Sequence, residues 1–359
     1  MTTTQQPTEI DMEKLMGFVF RAVEEVGATL NTALVVMGDR LGLYRGLAGA
    51  GPLTPAELAQ RTGTAERYVR EWLNAQAAGA YVNYDPDSGR YSLPTEHAIA
   101  LTDESSPAYL PGFFQTALGS VLDSPRITEA AKTSEGVGWH EHNQDVFDGV
   151  ERFFRAGYNA HLVAEWLPAL DTVVDKLQRG ATVADVGCGH GASTILMAQA
   201  FPASTFVGSD YHEGSITTAR QRAAEAGVSD RVRFEVAPAS SYSGTRYDLV
   251  TMFDCLHDMG DPVGAARHVR RSLAADGTWM IVEPIAGDRM EDNINPVGRA
   301  YYGFSTLLCT PASLSQEVGL ALGAQAGETR IRDVVTQAGL TRFRRASETP
   351  FNAVFEARP

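Results

Sequence analysis

A chain of 359 residues exceeds one ordinary hydrophobic core, so two domains are expected. Its composition, 44% apolar and 21% charged, is that of an ordinary soluble protein, and no apolar run approaches the ~20 residues of a membrane span. A formal net charge of −14 opposes phosphate backbones at long range. Cys188, Cys255 and Cys309 are odd in number and lack CxxC spacing, which argues against a disulfide framework or a zinc site, so no metal is expected.

The start, Met1-Thr2-Thr3-Thr4, lacks the basic-then-apolar order of a secretion signal, and a cytoplasmic enzyme fits these properties. From about Met12 to Leu43, apolar residues such as Leu15, Phe18, Val19, Val26 and Leu30 recur at spacings near three and four, which reads as an amphipathic helix. Thr54-Pro55-Ala56-Glu57 has the form of a capping box with proline at the first helical position; it opens a short helix ending near Gly63. A second helix runs from about Thr64 to Gly79, and Tyr81–Tyr84 and Arg90–Leu93 flank the turn Asp85–Gly89 as a hairpin. Helix-turn-helix plus hairpin is a winged helix.

A winged helix invites a DNA-binding reading, and charge is the physical test. Residues 1–100 carry twelve acidic and eight basic side chains, and the second helix sets Glu66 and Glu71 beside Arg67 and Arg70. A groove-reading helix presents a basic face, so nucleic acid is not the expected partner. Residues 101–175 read as a helical connector and lid, with Phe154 and Tyr158 expected to face a cleft and the pair His140 and His142 expected to be solvated. His140 and His142, two residues apart, share one face only in a strand, and no third metal ligand accompanies them.

The stretch Val183–Ser193 then sets three glycines, Gly187, Gly189 and Gly191, between the end of a buried strand and a helix. Such a turn accepts unusual backbone angles and lets a ligand lie against bare main chain, beneath the free amides of the helix N-terminus. Gly187, Gly189 and Ala192 also fit the loose dinucleotide pattern, but Asp185 two residues before the first glycine, the tighter spacing and the mid-chain position favour another ligand. Strand Thr205–Asp210 places a carboxylate 19 residues after Gly191, and a carboxylate is the natural acceptor for two vicinal hydroxyls. Strands and helices alternate from there to the end, with two closing strands near Arg342–Ala346 and Phe351–Glu356, as in a doubly wound α/β sheet.

These motifs resemble those of the class I S-adenosylmethionine-dependent methyltransferases, whose first motif reads (D/E)xGxGxG, and in particular the small-molecule O-methyltransferases of bacterial type. The resemblance implies a winged-helix dimerisation domain over residues 1–100, a connector over 101–175, and a Rossmann-like methyltransferase domain over 176–359 with a C-terminal antiparallel strand pair. It implies S-adenosyl-L-methionine as cofactor, with S-adenosyl-L-homocysteine as product. The cofactor would lie against Asp185, Gly187, Gly189, Gly191, Asp210, Ala239, Ser240, Phe253 and Asp254, with Tyr211 stacking on the base. The acid that commonly follows the third strand and binds adenine is missing at Ala237–Ser240.

Leu256-His257-Asp258-Met259-Gly260-Asp261 resembles the LHDW-x-D motif of that family, with methionine where the family has tryptophan. The resemblance makes His257 the general base, suited by an intrinsic pKa near ~6.5, with Glu283 orienting it and Glu328 a second carboxylate candidate. The insertion 284–328, with Tyr302 and Leu308, is expected to cover a small hydrophobic acceptor. Two alternatives stand beside O-methylation. One is transfer to nitrogen, carbon or a carboxylate by positioning alone; the other is a transcription regulator in which the fold senses the cofactor.

Overall fold

The structure, a computed structural model, describes residues 10–359. It divides into two compact units. The first holds the described residues up to Asp103 together with Ala108–Gln115, and the second holds Glu104–Pro107 and Thr116–Pro359. Most of the stretch 101–175 therefore belongs to the second unit, and the boundary falls inside the helix Pro111–Leu122.

In the first unit the helix Met12–Arg40 begins at the N-cap Asp11, whose carboxylate accepts the amides of Glu13 and Lys14. Only its last turns are buried: Phe18, Phe20, Val23, Val26 and Leu30 remain between 61% and 69% exposed. Helices Pro55–Thr62 and Glu66–Ala78 follow, then strands β1 (Asn83–Asp85) and β2 (Arg90–Ser92), paired antiparallel as a wing. Leu43, Tyr44, Leu47, Leu58, Trp72 and Leu73 fill the core between them. The capping box forms in both directions, the Thr54 hydroxyl accepting the Glu57 amide and the Glu57 carboxylate accepting the Thr54 amide at 2.8 Å. Arg90 reaches back from the wing to clasp the same carboxylate at 2.7 Å, tying hairpin to helix.

The second unit is a seven-stranded sheet. Its strands are β3 (Thr182–Val186), β4 (Thr205–Asp210), β5 (Val232–Val236), β6 (Tyr247–Phe253), β7 (Leu273–Pro284), β8 (Arg342–Glu348) and β9 (Asn352–Arg358). They stand in the order β5-β4-β3-β6-β7-β9-β8, parallel except for β9, which runs antiparallel to both neighbours. This is the doubly wound sheet with a terminal antiparallel pair that the sequence predicts. Period-2 alternation sends Val183 to one apolar core and Ala184 and Val186 to another, so both faces of the sheet are covered. Chain order reverses at β3, between β4 and β6, and a crevice opens at the carboxyl ends of these strands.

The insertion after β7 is more helical than its loop-like composition suggests. It contains Pro296–Phe304, the wide turns of Ser305–Cys309 and the helix Thr310–Leu314 as one nearly continuous rod. Among the described residues no helix is long and apolar enough to cross a membrane.

Removing the Thr54 cap by Thr54→Ala is expected to cost the first unit about 1 kcal/mol, read as a lower midpoint in chemical denaturation. The Thr54 amide first, then Arg90 and the Thr54 hydroxyl, hold the Glu57 carboxyl down at about 2. A depressed pKa contributes stability above the ordinary carboxylate range and loses it as pH falls towards the folded value. The stability gap between wild type and Glu57→Gln should therefore be open at neutral pH and close as pH is lowered towards 2, a trend that parallel denaturation curves would reveal.

Candidate active site

Asp185 closes β3, and its buried carboxylate accepts three hydroxyls: Ser193 at 2.7 Å, Thr194 at 2.5 Å and Thr251 at 2.9 Å. Two of those hydroxyls belong to the helix Ala192–Ala200 and one to β6, so the acid braces the glycine turn from beneath and does not itself reach the cavity wall. Burial raises its pKa, opposed by the three hydroxyls. Above it Gly187, Gly189 and Gly191 take φ of +75°, +51° and +78°, the left-handed region that favours glycine. A Cβ on Gly187 would meet Cys255 Sγ at 2.7 Å and one on Gly191 would meet Phe234 at 2.7 Å, whereas one on Gly189 would meet nothing within 4 Å. The turn is thus packed at its two ends and open in the middle.

That opening belongs to a cavity of about 470 Å³. Gly187, Gly189, Asp210, Tyr211, Ala239, Phe253 and Asp254 line it, and so do Phe154 and Tyr158. Ser240, Gly191, Tyr302 and Leu308 are not among the lining residues. Tyr302 lies on the insertion helix with its hydroxyl 3.5 Å from Asn293 Nδ2, and Leu308 is buried in the same rod. The insertion reaches the cavity instead through Ala312, Ser315 and Gln316. Phe147, Val150, Trp139 and His140 close another side, and sequence reasoning missed the first three. Phe147 and Val150 lie on the strongly amphipathic helix Gln144–Gly157, whose apolar stripe was the available signal.

The acids at the cavity differ in how they are held. Asp210 is half-buried and accepts the Gly189 amide at 3.0 Å and the His212 amide at 2.9 Å; burial raises its pKa against those bonds. Asp254 sits at φ +50° just past β6, with one carboxylate oxygen accepting Asn352 Nδ2 at 2.8 Å and the other buried without a partner. Burial, then the nearby Glu283, pushes its pKa well above the usual carboxylate range. An apolar cavity walled by Asp210, Asp254 and Asp258 is electrostatically suited to a ligand carrying positive charge.

The turn after β6, Leu256-His257-Asp258-Met259, borders the same cavity through Asp258 and Met259. Glu283, at the end of β7, accepts the Leu256 amide at 3.0 Å and pairs with His257 Nδ1 at 2.5 Å. His257 Nε2 lies 3.2 Å from Asp258 Oδ1. Burial acts to lower the His257 pKa, but Asp258 and Glu283 outweigh it and hold the ring well above the ordinary histidine value. His257 does not cap the helix that follows; Asp261 does, accepting the Gly264 amide at 2.7 Å. Glu328 is paired with Arg345 at 2.9 Å and with Arg332 instead of with His257, although it borders a small cleft that Glu283 also lines.

The expected solvated pair at His140 and His142 holds for one member only. His140 is exposed in a short 3-10 turn at the cavity, whereas His142 is buried with Nδ1 2.9 Å from Asp123. The possible metal donors that do converge among the described residues are His257, Asp258 and Cys309, whose ligand atoms lie within 4.8 Å of one another.

Comparison with known proteins agrees with this anatomy. Residues 29–103 match the family model of the Rv2258c-like winged HTH domain, and residues 177–317 match that of a methyltransferase domain. Over 131 residues, 34% of this chain, the protein is 35% identical to the 27-O-demethylrifamycin SV methyltransferase of Amycolatopsis mediterranei, covering 48% of it. The chain spans about half the length of the curated relatives it matches first. The mitomycin 7-O-methyltransferase MmcR shares the fold with a TM-score of 0.68 at 18% identity, over 97% of this chain and 100% of that one. NcsB1, an O-methyltransferase from neocarzinostatin biosynthesis solved with S-adenosylmethionine and 2-hydroxy-5-methyl naphthoic acid, does so with a TM-score of 0.62 at 17% identity, over 91% and 95% of the chains.

Both Gly187→Ala and Gly189→Ala place a side chain at positive φ, costing about 1–2 kcal/mol of backbone strain. Only the first also drives a methyl into Cys255, for about 1–3 kcal/mol more. Thermal unfolding should rank Gly187→Ala clearly below Gly189→Ala.

Proposed function

For a chain that joins a winged helix-turn-helix domain to a methyltransferase domain, we propose S-adenosylmethionine-dependent methyl transfer to the hydroxyl of a small hydrophobic acceptor. One observation carries this reading: the glycine turn with Asp210 and, through Asp258 and Met259, the turn after β6 border the same cavity, so one space can hold both a methyl donor and an acceptor. The relatives named above methylate oxygen by name, and NcsB1 was solved with an aromatic hydroxy acid.

The residues present fit the cofactor. Gly189 leaves open space where a side chain would intrude, Asp210 offers a half-buried carboxylate for ribose hydroxyls, and Asp254 adds a second acidic residue to the same lining. When bound, the cofactor supplies an electrophilic methyl group: a C–O bond forms as the C–S bond breaks, its electron pair staying on sulfur. The chain's tasks are to align the acceptor, exclude water and take up the hydroxyl proton. Phe147, Val150, Phe154 and Met259 give an apolar wall suited to a flat acceptor, and the buried His257–Glu283 unit with Asp258 is the proton-accepting device.

We also read the first unit as the dimerisation module. The helix Met12–Arg40 displays an apolar surface that a second copy of the same helix would cover. Arg67 and Arg70 are each paired with an acid four residues away on their own helix, which leaves little free positive charge for phosphate.

Calorimetric titration with S-adenosylmethionine should show micromolar binding, weakened about tenfold or more by Asp210→Ala through loss of a charge-assisted hydrogen bond; absence of binding would remove the proposal. Replacing Phe20 and Val23 together by glutamate should shift the protein from dimer to monomer in sedimentation, with cofactor binding unchanged.

A further inference from the structure

We propose that Ser313 and Gln316, where the rod of the insertion ends, are positioning residues for methyl transfer: together they fix the backbone of Asp258, Met259 and Gly260 after β6. The inference rests on the methyl-transfer reading above and names the part of the chain that holds this turn still.

The argument is an account of backbone hydrogen bonds. Asp258, Met259 and Gly260 each carry one amide and one carbonyl, no sheet ladder reaches them, and each group needs a partner. Two are met inside the turn, where the Asp258 amide donates to the Cys255 carbonyl at 3.2 Å and the Met259 amide to the Leu256 carbonyl at 3.3 Å. The other four are met from the insertion. Gln316 Nε2 donates to the Asp258 carbonyl at 2.9 Å, and Ser313 Oγ donates to the Met259 carbonyl at 2.8 Å. The Gly260 amide donates to Gln316 Oε1 at 3.1 Å, and the Gly260 carbonyl accepts the Leu320 amide at 2.9 Å.

The two side chains suit the task. A primary amide donates and accepts at once, so Gln316 spans Met259 and holds the residue on either side of it. Its Nε2 also donates to the Ala312 carbonyl at 3.0 Å, which sets the orientation of the amide. Ser313 is completely buried, and its hydroxyl accepts the Ala321 amide at 3.0 Å, so it is fixed from behind. The two segments approach closely enough to require glycine: a Cβ on Gly260 would stand 2.5 Å from Gln316 Cβ and 2.6 Å from the Glu317 carbonyl oxygen.

What is held in this way is cavity wall. Asp258 and Met259 line the cavity, and His257 precedes them in the same turn. Glu283 anchors the start of the turn through the Leu256 amide, and the insertion anchors its end. A misplacement of about 1 Å in a group that orients a reactant can cost about a hundredfold in rate. Neither Ser313 nor Gln316 takes part in bond making; each acts through the turn.

The test uses the full-length protein with 1-naphthol and 2-naphthol as acceptors. Gln316→Met keeps the length of the side chain and removes its hydrogen bonds, and Ser313→Ala removes the bond to Met259. Each should lower kcat about tenfold or more, with the acceptor's KM within about threefold of wild type and the calorimetric affinity for S-adenosylmethionine unchanged. Gly260→Ala, which wedges the segments apart from the opposite side, should do the same. A kcat loss below about tenfold, or one carried by the acceptor's KM, would overturn the proposal, since Gln316 would then be wall alone. A second readout needs no turnover. In protein labelled with 15N-glycine, with the Gly260 signal assigned by its loss in Gly260→Ala, the Gly260 amide should exchange with solvent about tenfold or more slower in wild type than in Gln316→Met. Equal exchange would overturn the clamp. If wild type methylates neither naphthol, the methyl-transfer reading fails and this role falls with it; wild-type turnover that the variants leave intact removes this inference alone.

Discussion

The second unit depends on one buried carboxylate. Asp185 is fully enclosed and yet accepts hydroxyls from Ser193, Thr194 and Thr251, which joins the end of β3, the start of the following helix and the neighbouring strand β6 at a single point. A buried acid without such partners is costly, and with them it becomes rigid. The glycine turn above it can therefore adopt left-handed angles without collapsing into the crevice. Gly189, whose amide Asp210 accepts, inherits its position from this brace.

The turn after β6 follows a different logic. There the parallel strands β6 and β7 end side by side, in register from Leu249 with Thr278 to Phe253 with Val282. Their extensions bring Glu283 beneath the Leu256–Met259 turn, where it holds a backbone amide and an imidazole at once. Sheet register sets the distance between histidine and carboxylate, so a surface loop is given the precision of a strand.

Local signals made much of this legible in advance. The capping box at Thr54, the hairpin turn at Asp85–Gly89 and the strand-to-helix glycines are fixed by neighbours within a few residues, and the winged helix and the doubly wound sheet follow from them. Facing is another matter, because it depends on partners far along the chain. Tyr302 and Leu308 have the composition of a pocket wall, yet the insertion folds as a rod that turns them away and presents Ala312, Ser315 and Gln316, small or polar residues that no hydrophobic pattern marks. Glu328 is drawn to Arg345 on β8, and His142 to Asp123 on a preceding segment. Nor does the sequence tell that Asp185, first in the glycine motif, serves beneath the turn rather than at the ligand.

The clamp formed by Ser313 and Gln316 links two properties usually treated apart. Gln316, with its neighbours Ala312 and Ser315, lines the cavity, while Gln316 and Ser313 also hold the carbonyls of Asp258 and Met259. Cavity shape and the geometry of the turn are thus mechanically geared. A lineage that reshapes the cavity by altering this segment would disturb the Leu256–Met259 turn in the same stroke. Compensating change would then be expected in the Leu256–Met259 turn itself, so the two segments should drift together among descendants of this chain.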